Sequence, residues 1–293
     1  MKILLCFFVL SISLNSFAQD SWIDKVIYGE DDRKDIYEST NEMYKQLANS
    51  TAAMISDSSL VAQECDMVMI KTTSLEQDGI CSDARFAKQP AGANCSAFLV
   101  GDQYLVTAGH CIQDMDDCER YSFVFGYANV TEEKLTQIVP KSEVYKCNKI
   151  VSRVLDRTTF NDYALVKLDR VVTGHTPLKF RTTGKIADKA DLVVIGHPSG
   201  IPTKIADGAF VRANTHKYFF QATLDTFGGN SGSAVFDATS GLVEGILVRG
   251  ETDYVNDPVM NCYRPKVCKV TECRGEDVTR ITNIKDLQKL IRK

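Results

Sequence analysis

Leu105-Val106-Thr107-Ala108-Gly109-His110-Cys111 is an apolar run that ends on a histidine, and it has two companions further along the chain. One is Asn161-Asp162-Tyr163-Ala164-Leu165-Val166-Lys167-Leu168, in which an aspartate opens a second apolar run. The other is Gly228-Gly229-Asn230-Ser231-Gly232-Ser233, a serine set among glycines. Each alone has a bland explanation: a structural histidine, a turn aspartate, a loop. Together, in the order His, Asp, Ser, they supply a base, a carboxylate to orient it and a nucleophile. A serine hydroxyl attacks poorly near neutral pH until a neighbouring base takes its proton. Imidazole titrates close to that pH, so it can accept the proton and return it to a leaving group. A carboxylate holds the ring in one tautomer and stabilises the imidazolium. Glycines beside the serine let the backbone turn sharply, so that N–H groups can face a developing oxyanion.

Chain order narrows the chemistry further. An α/β-hydrolase needs a histidine after its nucleophile, whereas His110, His175, His197 and His216 all precede Ser231. A subtilisin-like order would put the aspartate first. On these blocks the sequence resembles the chymotrypsin-like serine peptidases, and within them the bacterial glutamyl-endopeptidase (V8-like) branch, whose serine block has the same Gly-Gly-Asn-Ser-Gly-Ser form. The resemblance covers roughly residues 26 to 290 and is carried mainly by Thr-Ala-Gly-His-Cys together with the serine block. It implies that His110 is the general base, Asp162 its orienting carboxylate and Ser231 the nucleophile. The backbone N–H groups of Gly229 and Ser231 would form the oxyanion hole. A disulfide between Cys95 and Cys111 would close the loop beside the histidine. The implied fold is all-β, with two six-stranded antiparallel β-barrels and a C-terminal helix. His110 and Asp162 would come from the first barrel, Ser231 from the second, and the cleft would lie between them.

The residues themselves agree with an all-β chain. Short runs such as Ala97-Phe98-Leu99-Val100, Phe123-Val124-Phe125, Leu192-Val193-Val194-Ile195 and Ile246-Leu247-Val248 are strand-length and separated by polar breaks. Glu42 to Leu47 could hold a helical turn or two. Ile281, Ile284, Leu287, Leu290 and Ile291 fall at helical spacing, with Thr282 or Asn283 able to cap them. The expected boundaries are a signal peptide at 1–18, a short pro-segment at 19–25, an N-terminal arm at 26–60, the first barrel at 61–170, the second at 171–280 and the helix at 281–293.

Met1-Lys2, the apolar stretch from Ile3 to Leu14 and the small residues Ser16 and Ala18 form the three-part pattern of a cleaved secretory signal. The stretch is shorter than the roughly 20 residues a membrane-spanning helix needs. Ten cysteines fit an oxidising compartment, secreted or periplasmic, and disulfides are the expected state of those left after Cys6 is removed. Their number is then odd, so at least one thiol is free or pairs with another molecule. The chain lacks Cys-x-x-Cys spacing and a histidine near the late cysteines, which speaks against a zinc site. No cofactor is implied. With 293 residues, 44% hydrophobic, 25% charged and a net charge of −4, the chain is an ordinary globular one without the positive field that holds nucleic acid. The expected partners are protein or peptide substrates, with no membrane anchor, and the chain is expected to be a monomer.

Specificity is read from Asp225, Leu247 and Arg249, of which Asp225 and Arg249 are the candidate substrate-binding residues. Asp225 lies six positions before the nucleophile, where the resemblance puts the base of the primary pocket and where the family's basic-specific members carry an aspartate. Leu247 takes the place of the histidine that the glutamyl branch uses, which speaks against an acidic preference. Arg249 on the same strand either reaches Asp225 and cancels its charge or points to solvent, so Arg/Lys, small and acidic preferences all stay open. Asn230 replaces the aspartate that pairs with a new α-amino group in trypsins, so no activating ion pair is expected there. A cut after Lys25 is the expected maturation step, against the alternative of an unprocessed arm. His197 is read as part of a turn, and His175 and His216 as surface residues. Asp114, Asp116 and Asp117 are read as a solvated loop. Two other functions use the same residues: a catalytically silent binding or adhesion module, and an esterase.

Overall fold

The structure is a computed structural model that describes residues 26–290. The expected signal peptide (1–18), the expected pro-segment (19–25) and the end of the expected C-terminal helix fall outside the described residues.

Six strands make the first barrel: β1 (Thr51–Ser56), β2 (Cys95–Gly101), β3 (Tyr104–Thr107), β4 (Tyr121–Val124), β5 (Val144–Leu155) and β6 (Asp162–Leu168). They close in the order β1-β2-β3-β6-β5-β4, and β4 returns to β1. The second barrel is β7 (Asp191–Gly196), β8 (Lys204–Ala213), β9 (Phe219–Ala222), β10 (Ala234–Asp237), β11 (Val243–Arg249) and β12 (Glu276–Arg280). It closes as β7-β8-β9-β12-β11-β10 through the β7–β8 pairing, so both barrels follow one strand order. All pairings within the barrels are antiparallel, and closure leaves no exposed strand edge to manage. The first barrel begins at Thr51, inside the stretch read from sequence as an arm, because Thr51-Ala52-Ala53-Met54-Ile55 is buried between β2 and β4.

The strands form where the sequence is β-branched and apolar enough to fill an interior. Phe98, Leu105, Phe123, Leu165 and Val166 are fully buried in the first barrel, and Leu192, Phe220, Val235, Leu247 and Val278 fill the second. Each such side chain contributes about 1.5–3 kcal/mol. Helix α1 (Glu42–Ala48) is capped by Asn41. Helix α2 (Met115–Arg120) starts where Asp114 accepts the N–H of Asp117, so the acidic cluster read as a loop is a helix start. The tail forms a 3-10 turn, Ile281–Asn283, then α3 (Lys285–Leu290), and it buries Ile281, Ile284 and Leu287.

Four disulfides link Cys81 to Cys262, Cys95 to Cys111, Cys118 to Cys147 and Cys268 to Cys273. Among the described residues Cys65 is the free thiol, and it is exposed. No helix among the described residues is long and apolar enough to cross a membrane.

Candidate active site

β3 and β6 are neighbours with Ala164 opposite Thr107. Two residues beyond that pair, Asp162 faces Gly109. Strand register thus brings together two residues separated by 53 positions. Gly109 N–H donates to Asp162 Oδ1 at 2.6 Å and His110 N–H donates to the same oxygen at 3.1 Å. Oδ2 lies 2.7 Å from His110 Nδ1. An ionised carboxylate only accepts, so Nδ1 carries the ring hydrogen and Nε2 is the basic nitrogen. That Nε2 is buried and has no hydrogen-bond partner among the described residues. Gly109 is required here: a Cβ would lie 2.1 Å from the Val154 carbonyl oxygen.

Ser231 sits in the turn before β10 and is 2% exposed. Positive φ angles at Gly229 (85°) and Gly232 (90°) fold the turn back on itself. A Cβ on Gly232 would lie 2.0 Å from the Ser96 carbonyl oxygen, so the turn presses against β2 of the first barrel. Ser96 N–H donates to the Ser231 carbonyl at 2.8 Å, and Cys111 Sγ lies 3.6 Å from that oxygen. The Ser231 turn is therefore packed against the Cys95–Cys111 bridge that flanks His110. The structure joins His110 to Asp162; a hydrogen bond from Ser231 Oγ to His110 Nε2 is not formed.

Asp225 is buried and its carboxylate faces the N-terminal segment. Tyr28 N–H donates to one oxygen at 2.7 Å and Asp32 N–H to the other at 2.9 Å. Burial pushes the Asp225 carboxyl up to about 7 in spite of these two donors. Thr226 N–H donates to the Val26 carbonyl, so residues 26 to 32 run along this wall. Arg249 takes neither place expected of it. Its Nε donates to Asp277 Oδ2 at 2.9 Å and its Nη2 to the Phe160 carbonyl at 2.6 Å. It is 8% exposed, because strand pairing sets Arg249 against Asp277 on β12. Asn230 is buried with its side-chain oxygen accepting from Ser233 Oγ.

The remaining histidines are structural. His197 is fully buried, with Nδ1 3.1 Å from the Ile201 carbonyl and its ring stacked on Tyr127. Burial pulls it down to about 3, so it stays neutral at working pH. His175, read as a surface residue, instead stacks on Phe125 and bonds Glu143 Oε2 at 2.7 Å. His216 is half-buried against Phe219. Sequence reasoning missed a polar cluster at the back of the N-terminal segment. There Lys204 Nζ donates to Asp35 Oδ1 (2.6 Å), Gln89 Oε1 (2.7 Å) and the Pro202 carbonyl. These partners are scattered across 169 positions, and no local pattern marks them. Cys95, His110 and Cys111 are the one group of metal-ligand types that comes together among the described residues. Its two sulfurs are joined in a disulfide and are not thiolate donors.

A family model described as the trypsin-like peptidase domain matches residues 95–246, more than half of the chain. A search of the curated proteins gave no significant match. Among solved structures, the chain is similar to a Glu endopeptidase, with a TM-score of 0.51 and 14% identity over 92% of this chain and 100% of that one. It is also similar to the VesB protease of Vibrio cholerae, with a TM-score of 0.51 and 14% identity over 89% of this chain and 68% of that one. At such identity these two likenesses speak for the double-barrel fold. The span of the family match takes in β2, the His110 block, Asp162 and the Ser231 turn, and the chain belongs to the trypsin-like peptidase family.

Proposed function

We propose that the protein is a secreted serine endopeptidase with Ser231 as nucleophile, His110 as general base and Asp162 as the carboxylate that orients it. The observation that carries this reading is the Asp162 carboxylate, bonded at 2.6 and 3.1 Å to two backbone N–H groups and at 2.7 Å to His110 Nδ1. Such a carboxylate leaves Nε2 basic and aimed away from it, the state a proton acceptor needs. With a peptide bound, Ser231 Oγ attacks the carbonyl carbon and its proton passes to His110 Nε2. The carbonyl oxygen becomes an oxyanion facing the N–H groups of Gly229 and Ser231. Collapse expels the amine, which takes the proton from His110, and leaves an acyl-serine. Water, deprotonated by the same imidazole, then releases the acid. Catalytic hydrogen bonds are often long before substrate binds, so the Ser231–His110 bond is expected to form in the complex.

Four disulfides support folding in an oxidising compartment, in line with the signal-like first eighteen residues. Maturation by a cut after Lys25 is supported by Val26, whose buried main chain accepts from Thr226. N-terminal sequencing of the active secreted protein is expected to begin at Val26; a start at Gln19 removes the pro-segment. A preference for Arg or Lys rests on Asp225 alone, and the two N–H donors on its carboxylate weaken that support. Digestion of a mixed peptide library tests activity and preference together. Wild type is expected to cut internal bonds while Ser231→Ala leaves the library intact. Equal cutting by both proteins refutes the assignment of Ser231, and absence of basic residues before the cut bonds refutes the Arg/Lys preference.

A further inference from the structure

We infer that Ser96, on β2 of the first barrel, is a positioning residue that locks the oxyanion turn of the second barrel. The inference rests on the serine-peptidase reading and adds a residue to it. Four consecutive carbonyls around the nucleophile each have a donor. Gly228 accepts from Ser199 N–H at 2.5 Å, Gly229 from Ser96 Oγ at 2.8 Å, Asn230 from Ser233 N–H at 2.9 Å, and Ser231 from Ser96 N–H at 2.8 Å. None of these peptides is cis. In a trans peptide the N–H points opposite to the carbonyl. Pinning the Gly228 and Asn230 carbonyls therefore aims the Gly229 and Ser231 N–H groups the opposite way, while the Asn230 N–H donates to the Phe227 carbonyl at 3.0 Å and the Gly232 N–H to the Leu247 carbonyl at 2.8 Å.

Ser96 makes two of the four contacts, and the one from its side chain falls where it is needed most. Gly228 and Gly229 have no Cβ to restrict rotation, and Gly229 sits at a φ of 85°, which glycine leaves readily. The 229–230 peptide lies between the two that carry the oxyanion donors. Without the Ser96 hydroxyl it is left with the Asn230 N–H bond to the Phe227 carbonyl at 3.0 Å, and it can tilt and carry the Gly229 donor out of line. The Ser96 hydroxyl is itself held, since His197 N–H donates to its Oγ at 3.0 Å. Ser96 is fully buried and its own carbonyl accepts from Thr107 Oγ1 at 2.7 Å, so the anchor is fixed to the strand that leads to His110. One side chain thus ties the base's barrel to the geometry of the nucleophile's turn.

The test compares wild type, Ser96→Ala and Ser96→Thr for kcat and KM on one peptide, for affinity to an aldehyde analogue of it, and for Tm. Removing a group that touches the oxyanion lowers kcat by roughly 10²–10³-fold, and an anchor acting through the turn is expected to lower it by about tenfold. Ser96→Ala should show that fall with KM within about twofold, the aldehyde weakened by the same factor, and Ser96→Thr restoring kcat. If neither variant folds, Ser96→Cys, which keeps the shape with a weak donor, carries the same kcat criterion. A Ser96→Ala enzyme with unchanged kcat, or one whose KM and Tm change while kcat does not, overturns the inference alone. Wild type that takes no fluorophosphonate label overturns the peptidase reading, and the inference with it.

Discussion

Asp162→Asn isolates what the carboxylate does. The amide has two orientations in the site. In one, its oxygen faces Gly109 and His110 N–H, as Oδ1 does now, and its NH2 faces His110 Nδ1. In the other, the NH2 meets those two N–H groups at the present 2.6 and 3.1 Å separations. The second orientation loses two hydrogen bonds to the amide oxygen and sets donor against donor, a cost of about 1–3 kcal/mol for each buried N–H left without an acceptor. The first therefore wins, and its consequence is chemical. An NH2 group can only donate, so Nδ1 must accept and the ring hydrogen moves to Nε2. The base is then protonated where it should be empty. The expected fall in kcat is about 10⁴-fold, or about 5.5 kcal/mol of transition-state stabilisation. Both backbone N–H groups keep an acceptor, so Tm should change little. The assay is cleavage of a peptide chosen from the library experiment, with thermal unfolding alongside. A variant with kcat within tenfold of wild type and an unchanged Tm refutes the orientation argument.

Three further outcomes are expected. Lys204→Met leaves the Asp35 carboxylate buried without its cation, and breaking such a pair costs about 3–5 kcal/mol; urea unfolding that shows a loss under 1 kcal/mol refutes it. The Asp225 carboxyl is raised from 3.8 to about 7 in the folded chain. Its stabilising contribution is complete below pH 4 and is lost as pH rises through 7, at up to about 1.4 kcal/mol per pH unit. Asp225→Asn should therefore flatten the stability profile between pH 4 and 7, and an unchanged slope in chemical denaturation counts against the burial argument. Opening Cys81–Cys262, which spans 181 positions, should destabilise the chain by about 3 kcal/mol more than opening Cys268–Cys273, which spans 5. Paired serine variants compared by denaturant midpoint decide it, and equal losses refute the loop-entropy reading.

The sequence carries what is local. The strands are legible because β-branched runs such as Leu192-Val193-Val194-Ile195 are bounded by polar breaks, and the Ser231 turn because its glycines mark a backbone that must reverse. Asp114 and Asp117 carried the signal of a helix start, an acidic cap with a partner three residues on, and reading them as a loop overlooked it. Pairings between distant strands are different. Arg249 meets Asp277 because β11 and β12 are in one register, a fact set by barrel closure and invisible along the chain. Asp225 faces Tyr28 and Asp32, nearly two hundred positions away, because the N-terminal segment returns to the second barrel. Ser96 has the same character. Only the packing of one barrel on the other gives its hydroxyl a carbonyl to hold.

The chemistry turns on Ser231 acting as a nucleophile driven by His110. Treating the purified protein with a fluorophosphonate, then locating the adduct by peptide mass mapping, tests it most directly. One adduct per chain is expected, on Ser231, and it is lost in His110→Ala while the fold is retained. An unmodified Ser231 in folded wild type, or an adduct that persists at full rate without His110, contradicts it.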